Sequence, residues 1–280
     1  MGKVKKFKGI FFSDLDGTLA EIGKKVSEKD KDSLRKLGEL GVARIIVTGR
    51  SLFSAEKVID KDFPIDYLIC STGALIVSWP DKKILKKYNL TPSEVERSAE
   101  LFRSYNIDFM VLNEAPENHK FDTFIFDEVH PDVLRRHSFY EGHYKVRPYH
   151  EKISRESCQL IGLIDENEEL FEEIKEKSKG LKVIRSTSPL DGKTMWIEIY
   201  PGGVSKGKAV HQMLEILNIK KEMTAAIGND FNDMEMLEEA ERSYVVANSP
   251  EKLRSRFKTV SKCGENGFSE AVEEFISQAF

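Results

Sequence analysis

Cysteine is scarce in this chain. Cys70, Cys158 and Cys263 are the only three in 280 residues, and their spacing offers neither a CxxC metal knuckle nor the even count of a secreted disulfide framework. A reducing compartment is the simplest reading, and the expected location is the cytoplasm. No run approaches the ~20 apolar residues of a membrane-spanning helix. The basic start Met1-Gly2-Lys3-Val4-Lys5-Lys6 leads only into the short apolar run Gly9 to Phe12, so neither export nor insertion is expected. Gly2 is not followed by the Ser or Thr of an acylation signal, because that place holds Lys6. A surplus of one charge is also missing: 43 Lys and Arg stand against 47 Asp and Glu, a net charge of −4. That balance gives nucleic acid and membrane surfaces no reason to bind, and favours a small soluble partner. Internal repeats and low-complexity stretches are absent.

What is present suffices for a sizeable core, since 40% of the residues are hydrophobic. Short apolar runs bounded by turn residues recur at Gly9 to Phe12, Arg44 to Val47, Tyr67 to Cys70, Thr224 to Ile227 and Tyr244 to Ala247. Helical patterns separate them at Ser27 to Leu40, Ser205 to Leu217 and Asp233 to Glu241; in the second, Val210, Met213, Leu214 and Leu217 share a face. Such alternation predicts an α/β fold with a parallel sheet covered by helices.

The middle of the chain, from Ser78 to Trp196, has a different texture and reads as an insertion. It opens after the turn-like Trp79-Pro80-Asp81. Thr91-Pro92-Ser93-Glu94 is a capping box with proline at the first helical position, and Val95, Ala99 and Phe102 follow on one face. Strands are expected at Ile107 to Leu112, Gln159 to Ile164, Lys182 to Arg185 and Met195 to Tyr200, with a helix near Glu166 to Lys179. Together they make a small α+β unit.

Four segments carry chemistry. Ile10-Phe11-Phe12-Ser13-Asp14-Leu15-Asp16-Gly17-Thr18-Leu19 ends a buried type of strand in two carboxylates one residue apart. Ligands of parallel sheets bind beyond the carboxyl ends of strands, where one Asp can serve as nucleophile and the other as acid and base. Asp-x-Asp alone reads better as an acidic turn solvating a strand end; the full string reverses that preference. A second strand ends in Thr48-Gly49-Arg50, offering a hydroxyl and main-chain amides to a phosphate oxygen, although Thr-Gly also caps helices routinely. Lys206 follows the N-cap candidate Ser205, where a surface lysine is the plain alternative. A strand through Ala225-Ala226-Ile227 leads into Gly228-Asn229-Asp230-Phe231-Asn232-Asp233, dense in the oxygen ligands that Mg²⁺ takes; the spacing of a calcium loop ending in Glu is absent.

In this order, Asp14-x-Asp16-Gly17-Thr18, Thr48-Gly49-Arg50, Lys206 and Gly228-Asn229-x-x-Asn232-Asp233 give the chain its resemblance to the haloacid dehalogenase-like hydrolases. Within them it resembles the Cof-type sugar-phosphate phosphatases, which carry a large cap between the second and third motifs. The resemblance implies a Rossmann-like core at 1–77 and 197–280, with an α+β cap for substrate selection inserted at 78–196. It implies that Asp14 forms an aspartyl-phosphate and that Asp16 protonates the leaving alcohol, then activates water. Thr48, Gly49 and Lys206 would bind the phosphoryl group. Asp14, the main-chain oxygen of Asp16 and the Gly228 loop would hold Mg²⁺, with Asp233 orienting from behind. Two positions depart from the family pattern. Asn229 stands where an acid is usual, so either its amide oxygen or the neighbouring Asp230 serves the metal. Thr72, in Ser71-Thr72-Gly73-Ala74, stands where Asn is common.

Five of the six histidines (His119, His130, His137, His143, His150) fall in the inserted segment with Arg135, Arg136, Lys145 and Arg147. Their spacing matches no standard zinc pattern and Glu141 and Glu151 interrupt the basic stretch, so the reading is a solvated face, with contact of some of these residues to the substrate as the alternative. Arg50, Lys193 and Glu198 are further candidates for substrate contacts. The function expected is Mg²⁺-dependent hydrolysis of a phosphomonoester, a sugar phosphate or related metabolite, by a monomer or small homo-oligomer. The rivals are a phosphotransferase such as a phosphosugar mutase, a noncatalytic sugar-phosphate sensor, and a DxD glycosyltransferase, which does not need Lys206 or the second acidic loop.

Overall fold

The computed structural model describes residues 6–188 and 191–280. The start of the chain bearing Gly2 lies outside the described residues. The first stretch supplies β1 (Gly9–Ser13), α1 (Glu28–Glu39), β2 (Val42–Val47), α2 (Leu52–Ala55), β3 (Tyr67–Cys70), β4 (Leu75–Ser78) and β5 (Ile84–Lys87). The middle supplies α3 (Pro92–Ser104), β6 (Asp108–Leu112), β7 (Phe121–Phe124), α4 (Pro131–Phe139), β8 (Tyr144–Arg147), β9 (Leu160–Ile164), α5 (Glu168–Lys177), β10 (Lys182–Thr187) and β11 (Met195–Tyr200). The last stretch supplies α6 (Lys206–Leu217), β12 (Thr224–Gly228), α7 (Met234–Glu239), β13 (Arg242–Val246), α8 (Glu251–Arg254), β14 (Lys258–Val260) and α9 (Gly267–Ala279).

These elements form two compact units, one of residues 1–50, 54–86 and 205–280, the other of 51–53 and 87–204. The first is built on an eight-stranded sheet in the order β14-β13-β12-β1-β2-β3-β4-β5. Neighbours from β14 through β3 run parallel, and β4 returns antiparallel to β3. The chain leaves β1 for β2 on one side and comes back as β12 on the other, so the strand order reverses at β1. A crevice beyond the carboxyl end of β1 follows from that reversal.

Burial on both faces explains why β1 reads as an unbroken apolar run. Ile10 and Phe12 join Val47, Val210 and Met213 in one cluster, while Phe11 meets Phe268 and Phe275 of α9 edge to face at 5.5 and 5.6 Å. Each such buried side chain contributes roughly 1.5–3 kcal/mol. β1 is therefore held rigidly, and so is whatever stands at its end.

The second unit has a six-stranded sheet in the order β10-β11-β9-β6-β7-β8. Alternation along β11 sorts its faces. Met195, Ile197 and Ile199 pack with Val95, Phe102, Phe171 and Ile174 of α3 and α5, and Trp196 packs with Val133 and Tyr140 on the α4 side. The capping box at α3 is formed: the Thr91 main-chain N–H donates to Glu94 (2.8 Å) and the Glu94 N–H to Thr91 Oγ1 (3.4 Å).

The unit boundaries differ from the expected 77/78 and 196/197. The β4–β5 hairpin extends the first sheet through residue 86, and the β11 ladder, paired on both sides, holds the chain in the second unit through residue 204. Hydrogen-bond ladders, not the turn at Pro80, set where the chain changes units. The solvated-face reading also needs correction. Arg135, Lys145 and His150 are exposed, but His119, Arg136 and His137 are buried. Ring stacking accounts for His137, whose imidazole lies 3.6 Å from the Tyr144 ring, and for His119, 4.3 Å from that of Phe53.

Candidate active site

Asp14 follows the last residue of β1 and is tied to the neighbouring strand by its main-chain N–H, which donates to the Ile227 carbonyl (3.0 Å). Its carboxylate is buried and meets Lys206, whose Nζ donates to Asp14 Oδ1 at 2.7 Å and to Asp233 Oδ1 at 2.5 Å. Lys206 is the first residue of α6, behind the N-cap Ser205, whose hydroxyl accepts from the Lys208 N–H (3.1 Å). A cation at a helix N-terminus opposes the helix dipole, so this lysine stands against local preference. Two buried carboxylates hold it there and raise its pKa despite desolvation. Burial first, then the charge of Asp233, push the Asp14 carboxyl up to about 7, against the pull of Lys206.

Asp16 faces a different cation. Arg50 Nε and Nη2 donate to its Oδ2 and Oδ1, each at 2.7 Å, and Arg50 Nη1 donates to Ser54 Oγ (3.0 Å). Arg50, expected among the substrate contacts, is thus engaged with the second carboxylate of the Asp-x-Asp pair. Gly17 makes the turn that follows them: its φ is +77°, and a Cβ there would stand 2.7 Å from the Asn229 amide. Asn248 braces this turn by donating to the Gly17 carbonyl (3.0 Å). No spacing or pattern in the sequence marks Asn248 for this task.

Thr48 follows the last residue of β2. Its N–H donates to the Ile69 carbonyl (2.9 Å), its carbonyl accepts from the Thr72 N–H (3.1 Å), and its hydroxyl accepts from the Arg50 N–H (3.1 Å). Gly49 lies between Thr48 and Arg50, and Thr72 holds left-handed backbone (φ +58°, ψ +18°) beside it. The loop after β12 is organised by Asp233, whose Oδ2 accepts from the N–H groups of Asn229 (2.9 Å) and Asp230 (3.1 Å). Asp230 is exposed, and its Oδ1 accepts from the Phe231 N–H (2.7 Å), so it caps the following turn and leaves the pocket to Asn229. Asp14, Asp16, Thr48, Gly49, Arg50, Lys206, Asn229 and Asp233 all belong to the first unit. Lys193 and Glu198 belong to the second. Lys193 is exposed, with its main-chain N–H on Asp191 (2.8 Å), and Glu198 accepts from Gln159, Ser186 and Tyr200.

Whether these residues suit a cation can be judged at Asn229. One terminal atom of its amide lies 3.2 Å from Asp14 Oδ2, 3.2 Å from the Asp16 carbonyl and 3.1 Å from Thr18 Oγ1. The Asp16 carbonyl can only accept, as does Asp14 when ionised. Either the amide nitrogen stands there and donates, or its oxygen completes a three-oxygen cradle around a cation. Neighbouring ligands of an octahedral Mg²⁺ at 2.0–2.1 Å are spaced at about 3 Å, so the donor set fits that ion. Among the described residues no three His, Cys, Asp or Glu side chains form a metal cluster. A cation here would rest on a carboxylate, a main-chain oxygen and an amide.

The family model of the haloacid dehalogenase-like hydrolases matches residues 11–273. The chain is 24% identical over 283 residues to the 5-amino-6-(5-phospho-D-ribitylamino)uracil phosphatase YwtE of Bacillus subtilis, covering 94% of this chain and 96% of that one. It is 23% identical over 280 residues to the pyridoxal phosphate phosphatase YbhA of Escherichia coli, covering 94% and 95%. Among solved structures, BT1666 of Bacteroides thetaiotaomicron superposes with a TM-score of 0.78 at 23% identity over 98% of this chain and 97% of that one, and shares its fold. With the motif residues converging at the end of β1, the chain belongs to the haloacid dehalogenase-like hydrolases and is an enzyme of their Cof-type phosphatase branch.

Proposed function

We propose that this enzyme is a Mg²⁺-dependent phosphomonoester hydrolase of a sugar phosphate or related small phosphorylated metabolite, acting through an aspartyl-phosphate on Asp14. The observation that carries the reading is the separate pairing of the two strand-end carboxylates: Asp14 with Lys206, and Asp16 with Arg50. Two carboxylates in unlike surroundings suit two roles. The names of its relatives cover a ribitylamino-uracil phosphate and pyridoxal phosphate, which supports a small metabolite as the class.

In the first step an Asp14 oxygen attacks phosphorus, the ester P–O bond breaks, and Asp16, protonated on one oxygen turned out of the Arg50 fork while the other stays on Arg50, gives that proton to the departing alkoxide. In the second, Asp16 takes a proton from water, the resulting hydroxide attacks phosphorus, and Asp14 leaves with inorganic phosphate formed. Lys206 fixes the orientation of the Asp14 carboxylate, and Thr48 with Gly49 receives phosphoryl oxygens. Asp14, the Asp16 carbonyl and Asn229 would hold Mg²⁺, which when bound neutralises charge developing on the transferring phosphoryl group. Asp233 orients Lys206 and the Asn229 loop. The second unit, with Lys193 and Glu198, selects the leaving group. Among the described residues no helix is long and apolar enough to cross a membrane, and the odd count and wide spacing of the three cysteines support a reducing cytoplasm.

A phosphate-release screen over a metabolite library with Mg²⁺, run beside Asp14→Asn, tests the reading. Turnover in the wild type and none in the variant is expected. Undiminished release by Asp14→Asn would refute the mechanism, and isomer formation in place of phosphate release would identify a phosphotransferase.

A further inference from the structure

The second unit contains a buried cation without an anion. Arg136 of α4 is only 7% exposed, yet among the described residues no carboxylate forms an ion pair with it and its Nε has no hydrogen-bond partner. Its guanidinium is instead walled by rings: the carbon at its centre lies 5.1 Å from Phe121, 5.0 Å from Tyr140 and 5.1 Å from Trp196. Aromatic faces attract a cation but supply no acceptor for its N–H groups. The neighbouring acids are committed elsewhere. Asp132 accepts from the Trp196 indole (2.6 Å) and from Arg135 (3.1 Å). Glu198 accepts from Gln159 (3.0 Å), Ser186 (2.5 Å) and Tyr200 (2.7 Å). A carboxylate has about four lone-pair sites, so Glu198 keeps one free for a further hydroxyl. Both acids act on Arg136 through space. By contrast Arg147 and Arg155, basic residues of the same unit, both pair with Asp122.

A guanidinium held among rings keeps its orientation fixed and its donors unspent, an arrangement that suits an oxyanion arriving from solution. Nε is sealed and unpartnered, and the 7% of Arg136 that is exposed leaves the terminal amino groups as the donors for an arriving ligand. Glu198 and Trp196 alternate along β11 on the α4 side, with Gln159 and Ser186 joined to Glu198 by hydrogen bonds. Cation and hydroxyl acceptor thus share one region of the unit.

We propose that Arg136 is the anchor of a binding site for a polyhydroxylated small molecule bearing an oxyanion, a carboxylate or phosphate, with Glu198 accepting from one of its hydroxyls. The site deepens the proposed substrate class, on whose reading it rests only for calling the ligand a substrate, because the site itself is tested by binding without turnover.

Trp196 is the reporter. Trp79→Phe leaves it the single tryptophan of the chain, and its ring contacts Arg136 directly. Fluorescence of the full-length Trp79→Phe protein is titrated with gluconate, sorbitol and inorganic phosphate, with and without Arg136→Met. A saturable response to gluconate, none to sorbitol, and a dissociation constant weakened roughly tenfold or more in Arg136→Met are expected. A phosphate response lost in the same variant supports the site with phosphate as its oxyanion. Arg136→Lys, which keeps the charge and loses the planar fork, is expected to bind with intermediate affinity. No saturable response to either anion, or the same gluconate affinity with and without Arg136→Met, overturns the proposal, as does a phosphate response that survives Arg136→Met and disappears on Lys206→Met. If Arg136→Met fails to fold, Arg136→Lys carries the comparison, and unchanged affinity in that variant overturns the proposal. Failure of the phosphatase reading leaves these results untouched.

Discussion

Arg50 holds Asp16 by two parallel hydrogen bonds, Nε to Oδ2 and Nη2 to Oδ1, each 2.7 Å long. Fork-to-fork pairing fixes the plane of a carboxylate as well as its position. Arg50 is thereby a positioning residue for the proposed acid and base. Arg50→Lys retains the charge but cannot form the fork. It is expected to lower kcat for alkyl phosphates by about 10–100-fold, the scale of lost catalytic orientation, with a smaller loss for an aryl phosphate whose leaving group needs little protonation. Comparing kcat on the two substrates checks this. Equal losses would place the action of Arg50 elsewhere.

Lys206 separates two carboxylates that are both buried, Asp14 at 5% exposure and Asp233 at 0%. Removing it leaves them facing each other without a counter-charge. Lys206→Met is therefore expected to destabilise the fold by about 3–5 kcal/mol and to abolish phosphate release. Adding Asp233→Asn removes one of the orphaned charges. Urea unfolding of the double variant should recover part of the stability while activity stays lost; no recovery would mean that Lys206 stabilises by packing alone.

The alternation of apolar strands and amphipathic helices made the parallel sheet legible, because β1, β2 and β12 are buried on both faces and so appear as continuous apolar runs. The motif residues were legible for a related reason: they stand at strand ends, where short strings such as Asp14-Leu15-Asp16 and Thr48-Gly49-Arg50 stay together in the sequence. Partnerships between distant segments were not. The Arg50–Asp16 fork joins residues 34 apart, and the Lys206–Asp14 pair joins residues 192 apart. The burial of Arg136 was hidden for the same reason, since Trp196 comes from β11, a strand far from α4 in the chain. Edge strand β8, with Lys145 and Val146 exposed, lacks the apolar run that marks the interior strands.

Thr72 carries a conformational cost beside Thr48. A β-branched residue at φ +58° is held in the left-handed region, which Asn tolerates far better. Its main-chain N–H still donates to the Thr48 carbonyl (3.1 Å), so the conformation serves the loop. Thr72→Asn is expected to raise stability by about 1 kcal/mol, at the low end of the usual strain cost. Thermal unfolding measures it. A loss of stability would show that the threonine side chain contributes more than its backbone costs.

Burial and Asp233 raise the Asp14 carboxyl from an ordinary 3.8 to about 7. The metal-free folded state then binds a proton that the unfolded chain releases, so the contribution to stability is fully present below pH ~4 and is lost as pH rises through 7. Asn cannot titrate and escapes this loss, although it gives up the charged partner of Lys206. Asp14→Asn is expected to be inactive yet more stable than the wild type by on the order of 2 kcal/mol at pH 8 without metal, with the difference vanishing near pH 4. Melting curves at the two pH values check the sign; a wild type that gains stability from pH 4 to 8 relative to the variant would reverse it.

Asn229 offers the oxygen cradle an amide where a carboxylate is possible. Its terminal atom stands 3.2 Å from Asp14 Oδ2, so Asn229→Asp would add a negative charge beside a carboxyl already burdened by Asp233. Without metal this is unfavourable and the melting temperature should fall. With Mg²⁺ the added charge strengthens the site, and the stabilisation on metal binding grows with affinity. The expected result is a half-saturating Mg²⁺ concentration lowered by roughly tenfold, in thermal shift and phosphate release alike. Asp230→Ala is the control, because that carboxylate caps the Phe231 N–H and should leave the Mg²⁺ dependence unchanged. If Asp230→Ala abolished the Mg²⁺ response while Asn229→Asp left it alone, the loop would use Asp230 as the ligand and Asn229 as a donor to Asp14 and Asp16.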